Sequence, residues 1–217
     1  MIALMFMILA IQVASTSEFI FLLSLLELCY LVPSILVARR RSIPLREYVK
    51  TVVFRGMHVR EICTRAILAI SLAILLFFLV PYFITGLALF IKVALGATAL
   101  QTAQQNLNSF TVVAPGPLDA MFFALTSVVV GVCEEFFYRD FLFQVSKLSK
   151  RKNVLISAAL FSIYHIITTF NVYSFLYLVA YYFVWGVILA IEKIKLRNAL
   201  IFPIITHALF DFLTYLA

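Results

Sequence analysis

Charge is what this chain has least of. Asp, Glu, Lys and Arg make up 12% of its 217 residues, against about 25% in a typical soluble chain. Such a chain, 65% hydrophobic, cannot hide its apolar side chains in a water-soluble domain of this size, because most residues of a small domain touch its surface. A soluble enzyme, a disordered segment and a nucleic-acid-binding domain are therefore excluded. Cysteine is scarce as well. Cys29, Cys63 and Cys133 are odd in number and isolated, and no CxxC occurs, so neither a disulfide framework nor a structural zinc site is indicated. Internal repeats and low-complexity segments are absent. Met1 to Ala14 is apolar but lacks a basic n-region, so a cleaved signal peptide is not expected.

What the chain does have is long apolar runs, with a mean hydropathy of +1.10. At ~20 residues per span, its length accommodates about six to eight transmembrane helices. The expected fold is an all-α polytopic bundle, a single integral membrane domain over 1–217. The first apolar block, 1–38, is broken at Ser15-Thr16-Ser17-Glu18. It reads either as one span over 18–38 behind an apolar leader or as a tight hairpin. A second span covers 66–91, and 92–103 is a short span or a re-entrant piece. Residues 104–116 are polar and run into Pro115-Gly116-Pro117, a loop signal. Four further apolar stretches follow, at 117–146, 153–170, 174–192 and 198–217.

The net charge is +7, and the cations sit at the ends of apolar runs. Arg39-Arg40-Arg41 closes the first block, and Arg46, Lys50, Arg55, Arg60 and Arg65 interleave with apolar residues over 42–65. That segment reads as an interfacial amphipathic stretch, with a plain loop as the other reading. Lys147, Lys150, Arg151 and Lys152 mark one later boundary, and Lys193, Lys195 and Arg197 another. One topology puts 39–65, 147–152 and 193–197 all on the cytoplasmic side, with 104–116, 169–173 and the C-terminus outside.

Away from their ends, the last four stretches hold seven ionisable residues: Glu134, Glu135, Arg139, Asp140, His165, His207 and Asp211. Each costs at least a few kcal/mol in the bilayer unless paired or hydrated, so each is a candidate for function. A buried ion-pair network that fixes helix packing is the competing reading. Counted from the span ends, Glu134, His165, His207 and Asp211 all lie roughly 14–20 Å deep at ~1.5 Å per residue. Three helices thus bring four such side chains to one layer. Glu134 and Glu135 are adjacent, so about 100° of rotation separates them. Glu135 and Arg139 are spaced i,i+4 and can pair, which leaves Glu134 to face the interior. His207 and Asp211 share a face, as do Phe161 and His165.

A carboxylate with two histidines suggests two chemistries. Glu134 can act as general base on water with His165 assisting, and burial, by favouring the neutral carboxylic acid, suits a base working near neutrality. Alternatively, two histidines and a carboxylate can hold Zn²⁺ with one position open to water. The local zinc signature HExxH is absent, as are a Gly-x-Ser-x-Gly-like serine motif and a Gly-x-Gly-Asp aspartyl pairing. Ser157 and Ser162 read as helix-contact residues, and Cys133, in apolar surroundings, as an inert thiol.

Glu134-Glu135-Phe136-Phe137-Tyr138-Arg139 fits EExxxR, Phe161-Ser162-Ile163-Tyr164-His165 fits FxxxH, and His207-Ala208-Leu209-Phe210-Asp211 fits HxxxN/D. In this order on successive spans, over about 117–217, they resemble the CPBP family: the CAAX proteases and bacteriocin-processing enzymes, including type II CAAX prenyl endopeptidases and abortive-infection proteins. The resemblance implies an intramembrane endopeptidase with a cavity open to the cytoplasm. It implies that Glu134 and His165 activate water, that His207 and position 211 stabilise the oxyanion, and that Glu135 and Arg139 support the site, with Phe161 beside the imidazole. No cofactor is expected; the alternative is zinc on Glu134, His165 and His207. The expected partners are the lipid bilayer and a membrane-associated peptide or protein, lipidated or not, and no nucleic acid. Two departures stand out. Position 211 is Asp where CAAX-type members often have Asn, and an ionised Asp cannot donate to an oxyanion. Asp140 stands where Gly is common. The alternative from a different class is a catalytically silent membrane protein: a scaffold, an immunity factor or a transporter-like proton relay.

Overall fold

The computed structural model describes residues 21–96 except 23, then 116–166 and 172–217. Among these residues every regular element is helical and no strand occurs. A 3-10 turn over Leu25–Tyr30 runs into α1, Leu31–Arg40. Next come α2, Leu45–Phe54, and the long α3, Val59–Leu95. α4, Pro117–Glu134, continues through a π-helical segment, Glu135–Phe141, into the short α5, Leu142–Val145. α6, Lys150–Ile166, α7, Val172–Lys195, and α8, Ile201–Leu216, complete the fold. The apolar stretches at 117–146, 174–192 and 198–217 each become one helix within a few residues of their expected ends, and 153–170 is helical as far as it is described, to Ile166. The apolar leader before residue 15, the loop 104–115 and the turn at 169–171 lie outside the described residues.

Two helices, Val59–Ala94 and the continuous Pro117–Val145, are long and apolar enough to cross a membrane. α3 turns large apolar side chains outward, among them Ile67, Leu75, Phe78 and Phe90. An apolar surface of that extent suits lipid and not water.

The segment 42–65 divides in two. Val59–Arg65 forms the first turns of α3, where Glu61 pairs with Arg65 at 3.0 Å and with Arg197 at 3.3 Å. Only α2 is a separate amphipathic helix. It buries Tyr48, Val52 and Val53 against Ala38, Phe136, Leu200 and Ile204, and leaves Leu45, Val49 and Phe54 exposed. The Leu200 amide donates to the Val52 carbonyl at 3.2 Å, and Arg55 Nε donates to the Asn198 carbonyl at 3.1 Å. The basic segments 39–65 and 193–197 therefore meet at one end of the bundle.

α8 packs against both α3 and α4, and α6 and α7 run along each other. Two glycines set these distances. A Cβ on Gly131 would lie 3.2 Å from the Ala208 amide nitrogen, and one on Gly186 would lie 2.9 Å from the Ala158 Cα. Such small-residue contacts let membrane helices approach backbone to backbone. Gly131 lies one turn before Glu134, and Ala208 follows His207, so the α4–α8 contact draws these two motifs together.

Candidate active site

Glu134 is the last residue of α4 and Glu135 the first of the π segment. In that segment the Leu142 amide bonds to the Phe137 carbonyl, five residues back, in place of the ordinary i−4 ladder. Side chains of three other helices also bond its carbonyls. Ser34 Oγ of α1 donates to the Phe136 carbonyl at 3.2 Å. Ser157 Oγ of α6 donates to the Tyr138 carbonyl at 2.8 Å, and Lys193 Nζ of α7 donates to the Arg139 carbonyl. Asp140, too, is partnered: it accepts from Tyr48 Oη of α2 and, at 2.7 Å, from Gln144 Nε2. The charge that departs from the family pattern thus docks α2 onto the segment that carries the motif.

Glu135 and Arg139 pair as their spacing predicts. Arg139 Nη1 lies 3.2 Å from Glu135 Oε1, and both side chains are fully buried. The guanidinium also donates to the Gly186 carbonyl at 3.3 Å and lies 4.5 Å from the centre of the Phe161 ring. Spacing did not show that Glu135 has a second partner, His207 Nδ1, at 3.0 Å. A carboxylate paired to arginine only accepts, so Nδ1 carries the proton. Glu135 thereby sets the rotation of the His207 ring, and Nε2 is the nitrogen left for chemistry.

That Nε2 lies 3.4 Å from Asp211 Oδ2 and 3.7 Å from Glu134 Oε2. On the other side, His165 Nε2 lies 3.6 Å from Glu134 Oε1. His165 Nδ1 is 2.9 Å from the Phe161 carbonyl. A carbonyl cannot donate, so Nδ1 bears the hydrogen and Nε2 offers its lone pair. The His165 ring is held between Phe161, at 4.4 Å between centroids, and Tyr182, at 4.2 Å. The structure thus brings Glu134, His165, His207, Asp211 and Phe161 to one cavity of about 390 Å³, a volume in the usual range for ligand sites. Glu135 and Arg139 stand behind it.

Glu134 is 1% exposed, and its Oε2 has no hydrogen-bond partner among the described residues. Its separations from both imidazoles exceed direct hydrogen-bond length and match those bridged by one water or one substrate oxygen. Metal is a different matter. Among the described residues no three His, Cys, Asp or Glu side chains are arranged to hold an ion.

One acidic cavity residue went unread in the sequence. Glu27, in the 3-10 turn before α1, lines the same cavity. Its signal was present: an acidic residue inside the apolar block 18–38, the same kind of anomaly that marked Glu134.

The family model described as "Type II CAAX prenyl endopeptidase Rce1-like" matches residues 116–213. The matched segment holds all three motifs, from Glu134 to Asp211. No curated protein and no solved structure matches the chain.

Proposed function

Starting from the match of residues 116–213 to the Rce1-like CAAX prenyl endopeptidase family model, we propose that the chain belongs to that membrane-embedded family and is a multi-pass intramembrane endopeptidase that hydrolyses a peptide bond of a membrane-associated peptide or protein with water activated by Glu134. The observation that carries this reading is the placement of the Glu134 carboxylate. It is buried, lacks a hydrogen bond at Oε2, and faces two imidazole Nε2 atoms at 3.6 and 3.7 Å across a cavity.

The roles follow from the protons. Water held between Glu134 Oε1 and His165 Nε2 gives its proton to Glu134 as its oxygen attacks the peptide carbonyl. His165 takes no part as a donor through Nδ1, which the Phe161 carbonyl occupies; it positions the water by accepting from it. His207, with Nδ1 held by Glu135, presents Nε2, and a proton there stabilises the oxyanion as charge develops. Glu134 then returns its proton to the leaving amine. The basic segments 39–65, 147–152 and 193–197 lie on the cytoplasmic side, as the contacts between the first and last of them support.

The test needs no known substrate. Membranes expressing wild type and Glu134→Gln are compared by mass spectrometry of protein termini. Wild type is expected to generate new termini that the variant lacks at equal abundance. Identical sets of termini, with both forms complementing a deletion strain equally, would replace the protease by a scaffold.

A further inference from the structure

The proposed chemistry uses one carboxylate to move a proton and a second, Asp211, beside His207. Glu27 has no part in it. Nevertheless Glu27 lines the cavity with Glu134 and Asp211, and its Oε2 is buried with no hydrogen-bond partner among the described residues. Two of the three cavity carboxylates therefore carry a buried oxygen with no hydrogen-bond partner among the described residues, and one of them, Glu134, is 1% exposed. An unpaired buried carboxylate oxygen is costly unless a donor meets it.

Among the described lining residues, the groups able to carry positive charge are the imidazoles of His165 and His207. No lysine or arginine is among the described lining residues. Arg139, on the motif helix, is spent elsewhere, on Glu135, the Gly186 carbonyl and the face of Phe161. Lys193 is spent on the Arg139 carbonyl. The walls between the carboxylates are aromatic, with Tyr164, Tyr182 and Trp185 among them. Acidic groups set in aromatic walls suit a cation, because ring faces attract positive charge and carboxylates accept its hydrogens.

We propose that Glu27 is a specificity-determining residue that binds a cationic group, a lysine or arginine side chain or a free amine, carried by the peptide close to the bond that is cut. This rests on the protease reading above and names its substrate class: a basic peptide segment presented at the membrane. Glu27 comes from the turn before α1, outside the matched segment 116–213. The N-terminal part of the chain thereby selects, while the motif-bearing part cuts.

The experiment uses the full chain in lipid nanodiscs and two internally quenched peptides with apolar flanks. They are identical except for one central position, lysine in one and its uncharged analogue norleucine in the other. Binding is read by fluorescence anisotropy and cleavage by dequenching. Wild type is expected to bind the lysine peptide about tenfold more tightly or better. Glu27→Gln should reduce that preference to under about twofold, and Glu27→Lys should reverse it toward a matched glutamate peptide. Equal binding of both peptides by wild type overturns the proposal. So does a lysine preference that survives in Glu27→Gln shown by gel filtration to be folded. Should Glu27→Gln not fold, the uncharged Glu27→Met replaces it under the same criterion. The protease reading fails separately, through cleavage that persists in Glu134→Gln. Loss of cleavage in that variant, alongside equal binding of the two peptides, sinks only the role of Glu27.

Discussion

Two sets of ionisable side chains occupy neighbouring turns of this bundle and are treated in opposite ways. Behind the cavity, Glu135, Arg139, Asp140 and Lys193 are tied to one another, to backbone carbonyls or to Tyr48 and Gln144. Facing the cavity, Glu134, His165, His207 and Asp211 stand 3.4 to 3.7 Å apart with an unbonded oxygen on Glu134. Glu134 and Glu135 are consecutive, and the π segment begins between them. The first set meets its charge with ion pairs and hydrogen bonds, leaving Glu135 Oε2 and Arg139 Nε without a hydrogen-bond partner among the described residues, while the second stays at longer separations, available to water and substrate. Only His207 belongs to both, its Nδ1 in one and its Nε2 in the other.

The sharpest way to break this division is to neutralise one member of each set. Glu134→Gln is expected to lower turnover by about 10²–10⁴-fold, the usual worth of a general base, while the protein remains folded. Arg139→Met leaves the buried Glu135 uncompensated and is expected to cost about 3–5 kcal/mol of stability, read as lost abundance and a lowered detergent melting temperature. A folded, active Arg139→Met would mean that the rear network is not structural.

The next test couples the two sets. Gly186→Ala places a Cβ 2.9 Å from the Ala158 Cα. α7 must then shift from α6, carrying the Gly186 carbonyl off Arg139 and Trp185 off the cavity wall. Overpacking of this kind costs about 1–3 kcal/mol, and activity should fall with stability. Gly86→Ala in α3, where an added Cβ meets nothing within 4 Å, is the control and should match wild type. Equal melting temperatures for the two variants would show that the close approach is not needed.

Much of this arrangement was legible in the sequence, and the illegible parts share a cause. Helix periodicity and span depth suffice to place Glu134, His165, His207 and Asp211 in one layer and to pair Glu135 with Arg139, because those are relations within a helix or along one axis. The π segment is not readable that way. Its carbonyls accept from Ser34, Ser157 and Lys193, which lie on three other helices. Likewise the Glu135–His207 bond joins residues 72 positions apart, which no local spacing encodes. The amphipathic pattern of 42–65 was visible, but the onset of α3 at Val59 was not, since charged first turns look the same in a loop. Glu27 is the exception, because its signal was local and was passed over beside the stronger motifs.

Asp211 tests where the boundary between the sets lies. Since Glu135 already holds the His207 ring, Asp211 is not required to orient it. Its 3.4 Å contact with Nε2 and a side chain 24% exposed put it on the cavity side. Asp211→Asn, the residue common in the resembled family, is expected to retain turnover within about tenfold of wild type, whereas Asp211→Leu removes every polar atom beside Nε2 and should lose more. Equal kcat/KM for wild type and Asp211→Leu would remove the residue from the site.

The smallest effect is expected at the outer edge of the rear set, where Tyr48 joins α2 to the motif helix. Its hydroxyl donates to Asp140 Oδ2 and accepts from Gln144 Nε2 at 2.8 Å. Tyr48→Phe leaves Asp140 its bond from Gln144, so the cost should be a single hydrogen bond, about 0.5–1.5 kcal/mol, with little change in turnover. Burial, reinforced by the neighbouring Asp140, raises the Tyr48 pKa above its ordinary 10.0. The sign of the linkage follows. A folded-state pKa raised above the unfolded one gives stability that is fully present below the unfolded value and lost as pH climbs beyond it. Wild type should therefore lose its advantage over Tyr48→Phe as the pH passes about 10, and the two melting temperatures in detergent should converge there. A difference that stays constant from neutral to alkaline pH would show that the hydroxyl of Tyr48 does not latch α2 to Asp140.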